Sequence, residues 1–202
     1  MVVIGVGGRK QHGKDTLANF AIHRLSEMGF KAIKRHFADP LKLECATMLA
    51  YELDPGNPNY HDRAKDFFRE MNDVTKKEKY RLLLQFWGTE FKRGMVCDSY
   101  WIDKMRTQLE SDAADGVAVV FVPDMRFPNE ARLVKELGGY NVRIIRPGLD
   151  DGDGHASEHA LDNYQGWDSE ILNDADLAAL EHRAIIMLGK IAWARTSAGK
   201  RV

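Results

Sequence analysis

The run Gly8-Arg9-Lys10-Gln11-His12-Gly13-Lys14 constrains this chain more than any other segment. Its spacing is Gly-x-x-x-x-Gly-Lys. A short β-branched stretch, residues 2–6, precedes it. Apolar residues at helical spacing follow it: Leu17, Phe20, Ala21, Leu25 and Met28. A strand, a glycine loop and a helix in this order aim loop N–H groups and the positive helix end at one point, which suits phosphate. Gly8 and Gly13 supply the turn, and Lys14 would reach the outer phosphates of a nucleotide. The Ser or Thr that ordinarily follows the lysine is replaced by Asp15, with Thr16 one place on. Asp15 would bind Mg²⁺ directly or through water, or orient a second substrate, and Thr16 offers a hydroxyl beside it. The rival dinucleotide loop, Gly-x-Gly-x-x-Gly, fails, because Lys10 stands where the third glycine is needed.

Strand and helix patterns alternate along the rest of the chain. Residues 31–37, 117–122, 141–146 and 171–173 read as strands. Residues 41–53, 100–109, 128–137 and 177–195 read as helices. Alternation of this kind implies a parallel sheet with right-handed crossovers. The helical stretch 41–114 is too long for one crossover and predicts an inserted lobe. The expected fold is therefore a P-loop α/β class: three layers, α/β/α, around a parallel sheet, one domain over 1–202 with a helical substrate lobe at about 41–114. Residues 54–59 and 147–166 read as loops, and the charged run 63–81 as a solvated helical face. The basic tail 200–202 is expected to fray.

Bulk composition narrows the partners. The 202 residues are 44% hydrophobic and 29% charged, and the formal net charge is −1. Nothing in that balance recruits nucleic acid or an anionic membrane. Two cysteines, Cys45 and Cys97, do not make a disulfide framework. No segment approaches the roughly 18 apolar residues of a membrane helix. A soluble cytoplasmic protein is expected.

A second cluster of chemistry follows the most apolar strand. Residues 123–130 read Pro-Asp-Met-Arg-Phe-Pro-Asn-Glu. An acid at the C-terminal end of a parallel strand lies where ligands bind in such sheets. Asp124 would hold Mg²⁺ or a sugar hydroxyl. Arg126 would take a phosphate in a fork that lysine cannot copy. Glu130, one helical turn on, would orient that guanidinium or contact the acceptor, or simply sit at a helix start with Pro128. Asp39 and Lys42 follow the second strand, with Asp39 as a helix cap or an acceptor contact. Phe37, Phe86, Trp87 and Trp101 are candidates for stacking on a base, though such residues more often belong to a core. The string His155-Ala156-Ser157-Glu158-His159 formally fits a zinc pattern, but it follows a Gly/Asp-rich loop. A loop closing over nucleotide, with Ser157 and Glu158 as contacts, is the better reading.

Taken together, these segments resemble the bacteriophage deoxynucleoside monophosphate kinase family. The likeness rests on Gly13-Lys14-Asp15-Thr16, on residues 37–42 (Phe-Ala-Asp-Pro-Leu-Lys) and on residues 84–90 (Leu-Gln-Phe-Trp-Gly-Thr-Glu) with Arg93. It continues through Tyr100-Trp101, residues 124–130 and residues 155–158. The resemblance implies transfer of the ATP γ-phosphoryl group to a dNMP, dependence on Mg²⁺, and a homodimer. By that likeness Lys14, Asp15 and Thr16 take ATP and metal, and Asp124, Arg126 and Glu130 take the monophosphate. Arg93 is the phosphate-facing arginine and Trp101 the aromatic near the acceptor base. Phe37, Asp39, Lys42, Gln85 and Trp87 fall on the acceptor side. Lys14, Asp15, Arg93 and Arg126 are then the catalytic set. Phosphoryl transfer asks for positioning and charge neutralisation, and no nucleophile triad is needed. The neighbouring alternative is a kinase for another phosphorylated acceptor, phosphomevalonate or dephospho-coenzyme A. A P-loop ATPase or nucleic-acid motor would need a basic track that the sequence lacks, and a non-catalytic nucleotide-binding module would leave Arg126 without a role.

Overall fold

The computed structural model describes residues 1–149 and 156–198. Five strands form one wholly parallel sheet in the order β2-β3-β1-β4-β5. They are β1 (Val2–Gly7), β2 (Ala32–Lys34), β3 (Val119–Met125), β4 (Tyr140–Ile145) and β5 (Ser169–Leu172). β1 is the middle strand, paired with β3 on one side and β4 on the other. Its sequence explains the place: a strand covered on both edges and both faces reads as continuous apolar residues. After β1 the chain turns to one side of the sheet for β2 and β3, then crosses to the other for β4 and β5. The crevice at such a reversal lies at the C-terminal ends of the strands.

The chain divides into two compact units, Met1–His36 with Arg106–Val202, and Phe37–Met105. In the first, α1 (Lys14–Glu27) and α8 (Leu177–Ala198) pack together. Leu17, Ala21, Leu180, Ala184 and Met187 share a core with Ile4, Val6, Val142 and Ile144 of the sheet. Each fully covered aliphatic side chain contributes about 1.5–3 kcal/mol. Gly5 points the other way, towards Val134 of α6 (Pro128–Glu136). Period-2 alternation along β1 thus separates two helical layers, as the three-layer expectation requires. The second unit is helical: α2 (Ala38–Leu53), α3 (Tyr60–Asn72), a 3₁₀ turn at Lys77–Tyr80, α4 (Arg81–Gln85) and a π-helical continuation, Phe86–Val96. Cys45, Ala46, Met71 and Tyr80 form its core, with Phe67, Leu83 and Trp87 against them. α5 (Tyr100–Ala114) contributes its first residues to this unit and its last to the other; α7 (Ala156–His159) is a single turn in the first unit. Burial pushes the Cys45 thiol up to about 12, and neither cysteine forms a disulfide.

Several boundaries differ from expectation. β3 runs to Met125, past Val122, so Asp124 lies within it. Pro123 is tolerated because the β1 ladder slips between Gly5 and Gly7 there, and β2 has already stopped at its Lys34–Phe121 rung. β2 is three residues, not seven. α2 begins at Ala38, so Asp39 sits inside its first turn and is not its cap. The charged run read as a helical face over 63–81 is not continuous, since α3 ends at Asn72 and a 3₁₀ turn follows at Lys77–Tyr80.

Arg35, just past β2, forks onto Asp112 of α5 through Nε at 2.8 Å and Nη2 at 2.5 Å. The Asp112 side chain is 3% exposed. The Arg35 guanidinium holds that carboxyl below its ordinary value. A lowered native value stabilises above the unfolded value of about 4 and is lost as pH falls through the native one. Arg35→Ala should therefore destabilise the protein by about 2–3 kcal/mol at neutral pH by urea unfolding, with the gap to the parent closing only below about pH 4.

Candidate active site

The loop after β1 has the shape its glycines predict. Gly8 has φ 149° and Gly13 has φ 97°, the second immediately before α1. A Cβ on Gly8 would stand 2.4 Å from the Ile144 carbonyl oxygen, and one on Gly13 2.7 Å from Asn173 Nδ2. Gln11 also has positive φ, 61°. Asn173, just after β5, donates through Nδ2 to the His12 carbonyl at 3.0 Å and so ties the loop backbone to the sheet. His12 itself is buried beneath the loop, its Nδ1 3.3 Å from Ile144 O. Lys14 is buried, and its Nζ donates to the carbonyls of Gly8 and Arg9, each at 2.7 Å. A cation held by carbonyl dipoles inside the loop is placed to exchange them for phosphate oxygens.

Asp15 opens α1 at the same edge. Its Oδ1 accepts from Lys34 Nζ at 3.0 Å and His36 Nε2 at 3.3 Å. The His36 contact, opposed by partial burial and then aided by Lys34, holds this carboxyl far below its ordinary value. Asp15 is thus an anion throughout the working range of pH. Thr16 is half-buried in the first turn of α1.

A cavity of about 250 Å³ opens beside the loop. Gly8, Arg9, His12, Arg126, Arg146 and Glu158 are among its lining residues. Arg126 follows β3 and pairs with Glu158 of α7. The other Glu158 oxygen accepts the Lys10 backbone N–H at 3.2 Å. Asp162 accepts from Arg9 Nη2 at 3.1 Å and contacts His159 Nδ1 at 3.0 Å. Glu158 thus holds a loop amide and an arginine at once, the pair of donors a phosphoryl oxygen would seek. A phosphate reaching both must displace or share that carboxylate.

Glu130 serves the backbone at the start of α6. It is 2% exposed, and its Oε2 accepts the backbone N–H groups of Arg126 at 2.6 Å and Phe127 at 3.1 Å. The open amides at the start of α6 capture the carboxylate three residues in. It holds the backbone at Arg126, and Glu158 pairs with the guanidinium. Asp124 is half-buried at the end of β3. Among the described residues no His, Cys, Asp and Glu cluster suited to a metal is present, and His155 of the zinc pattern lies outside them.

The second unit holds the remaining sequence candidates. Phe37 is buried. Lys42 Nζ donates to Asn72 Oδ1 at 2.7 Å and lies 4.0 Å from Asp39. Gln85 ends α4, half-buried. The Arg93 guanidinium lies 3.5 Å from the Asp98 carbonyl. Trp101 is 3% exposed and donates through Nε1 to the Gly88 carbonyl at 2.9 Å, so its ring belongs to this unit's packing. Trp87 donates to Glu44 at 3.2 Å. Glu44 also accepts from Tyr100 at 2.6 Å and meets Lys92 and Lys104, each at 3.2 Å. Burial pushes Glu44 up, but these donors, Tyr100 first, hold it below its ordinary value.

Sequence reasoning missed Lys34, His36, Arg9, Arg146, Asn173 and Glu44. Lys34, Arg146 and Asn173 carried a usable signal, since each lies at or just past the C-terminal end of a strand in a parallel sheet. Glu44 carried none, because a helical glutamate is usually solvated.

A phosphate loop on the central strand, a buried lysine in it and an arginine after the neighbouring strand define a P-loop phosphotransferase. A family model described as deoxynucleotide monophosphate kinase matches residues 48–184, and the chain belongs to that family. The chain is 32% identical over 190 residues to a putative deoxynucleotide monophosphate kinase of Acanthamoeba polyphaga mimivirus, covering 86% of this chain and 89% of that protein. It is 26% identical over 110 residues to the deoxynucleotide monophosphate kinase of Enterobacteria phage T4, covering 54% of this chain and 45% of that one. Among solved structures it is similar to a dephospho-CoA kinase from Campylobacter jejuni, at 18% identity and TM-score 0.43 over 94% of this chain and 96% of that one.

Gly13→Ala tests whether the left-handed turn carries the site. The added methyl meets Asn173 and the backbone must leave a conformation costing an L-residue about 1–2 kcal/mol. Melting should fall by several degrees, and titration calorimetry should show ADP affinity reduced by at least about tenfold.

Proposed function

We propose that this site carries the γ-phosphoryl group of ATP to the monophosphate of a deoxynucleoside, giving ADP and a dNDP. The supporting observation is the shared cavity of the phosphate loop and Arg126, in a chain of the deoxynucleotide monophosphate kinase family. Loop amides from residue 8 onward and the N-terminus of α1 hold the donor phosphates, and Lys14 leaves the Gly8 and Arg9 carbonyls to neutralise them. Arg126 leaves Glu158 to pair with a phosphate, and Glu130 keeps the backbone at Arg126 rigid by holding its N–H. In the helical lobe, Lys42 and Arg93 are the cations that the family resemblance gives to the acceptor. No proton relay is required, because the acceptor phosphate is already an anion near neutral pH.

Hard oxygen donors suit Mg²⁺, and this chain offers them: the second carboxylate oxygen of Asp15, the Thr16 hydroxyl and Asp124. Bound there, Mg²⁺ would neutralise phosphate charge. The enzyme is a soluble cytoplasmic one by this reading. Among the described residues no helix is long and apolar enough to cross a membrane.

A coupled ADP-release assay across dAMP, dCMP, dGMP and dTMP tests the reaction. Turnover with at least one is expected, and absence of turnover with all four sinks the proposal. Phosphomevalonate and dephospho-coenzyme A are the control acceptors. Asp15→Asn should leave ATP binding partly intact and cut kcat by about 10²-fold, the usual scale for one charged group in such sites. Arg126→Lys keeps the charge and loses the fork. It should raise KM for the monophosphate by about tenfold, measured under saturating ATP.

A further inference from the structure

Asp15 occupies a position where the common loop carries a neutral hydroxyl. A carboxylate there sits beside the phosphates that the loop gathers. Two like charges about 5 Å apart repel by about 3 kcal/mol at an effective dielectric near 20. Something must offset that.

β2 supplies the offset. Its ladder on β3 ends at the rung of Lys34 with Phe121, and Arg35 still donates its N–H to the Phe121 carbonyl at 2.9 Å. Extended backbone therefore persists beyond the strand. Side chains at 34 and 36 leave on one face and 35 on the other. Arg35 goes to Asp112, while Lys34 and His36 converge on the same oxygen, Asp15 Oδ1. Lys34 and His36 are each about a quarter exposed. No other partner of Asp15 occurs among the described residues, so Oδ2 remains uncommitted.

We propose that Lys34 and His36 are positioning residues for Asp15: they fix one carboxylate oxygen, offset its charge and leave the other oxygen to the donor site. This rests on the reading of Asp15 as a donor-site residue. The two residues act through Asp15 and touch no substrate. Lys34 and the aspartate then form one device that replaces the usual hydroxyl, and neither half works well alone.

A double-mutant cycle tests this. ATP affinity is measured by calorimetry in EDTA and in Mg²⁺, with kcat and both KM values, for Lys34→Met and Lys34→Arg. Each is placed in the parent and in Asp15→Ser, and melting is recorded for all. In the parent, Lys34→Met should weaken ATP binding about tenfold in either buffer and leave KM for the monophosphate unchanged. Lys34→Arg should restore most of the loss, and His36→Gln, which keeps a donor, should cost less than about threefold. In Asp15→Ser, Lys34→Met should cost less than about twofold. An equal loss in both backgrounds would mean that Lys34 meets phosphate directly, which overturns the proposal. Parent protein that binds no ATP overturns the donor-site reading and the proposal with it. Parent protein that binds ATP, with Lys34→Met unchanged, overturns the proposal alone.

Discussion

The pairing of β1 on both edges is the constraint on which the site depends. Held by parallel ladders to β3 and β4, the strand cannot shift, so the loop that leaves it starts from a fixed point and direction. Gly8 and Gly13 then turn the chain in conformations that side-chain-bearing residues resist, and Asn173 fastens the turn from the next strands over. Parallel pairing brings every strand's C-terminal end to one edge. That is why Asp15, Lys34, Arg126, Arg146 and Asn173, far apart in sequence, serve one region of the first unit.

Electrostatics in that unit follow from how each charge near the loop is met by a partner. Lys14 is buried and must be met by carbonyls until an anion arrives. Arg126 and the Lys10 amide are met by Glu158. Asp15 is met by Lys34 and His36. Lys14 and Arg126 thus have protein partners of the kind a phosphate would replace, whereas Lys34 and His36 stay with Asp15. The site is therefore preorganised without leaving a charge bare, and binding is an exchange of partners. Asp112 with Arg35 differs, since its fork is structural and no ligand competes for it.

Much of the fold was legible. The apolar runs that became β1 and β4 and the helical spacing from Leu17 onward required little beyond local chemistry. Boundaries were less legible where tertiary pairing decides them. β2 stops when its ladder on β3 ends, and β3 continues through Pro123 only because the register slips beside it. Among site residues, the phosphate loop and Arg126 could be read from spacing and strand position. Glu130 could not be assigned, because a carboxylate at the third position of a helix serves the open amides of that helix as readily as a neighbouring arginine. Trp101 could not either, since a buried indole bonded to Gly88 and a base-stacking one have the same sequence.

By itself the sequence determined a phosphate loop, an α/β order and the replacement of a hydroxyl by Asp15, because these depend on backbone freedom, periodicity and residue type over short spans. The tertiary structure decided which charges meet. Glu158 is paired with Arg126 by the placement of α7, and Lys34 and His36 reach Asp15 because β2 ends level with the start of α1. Coulomb and hydrogen-bond energies fall off within a few ångströms, so these partnerships exist only once the sheet has brought distant strand ends together.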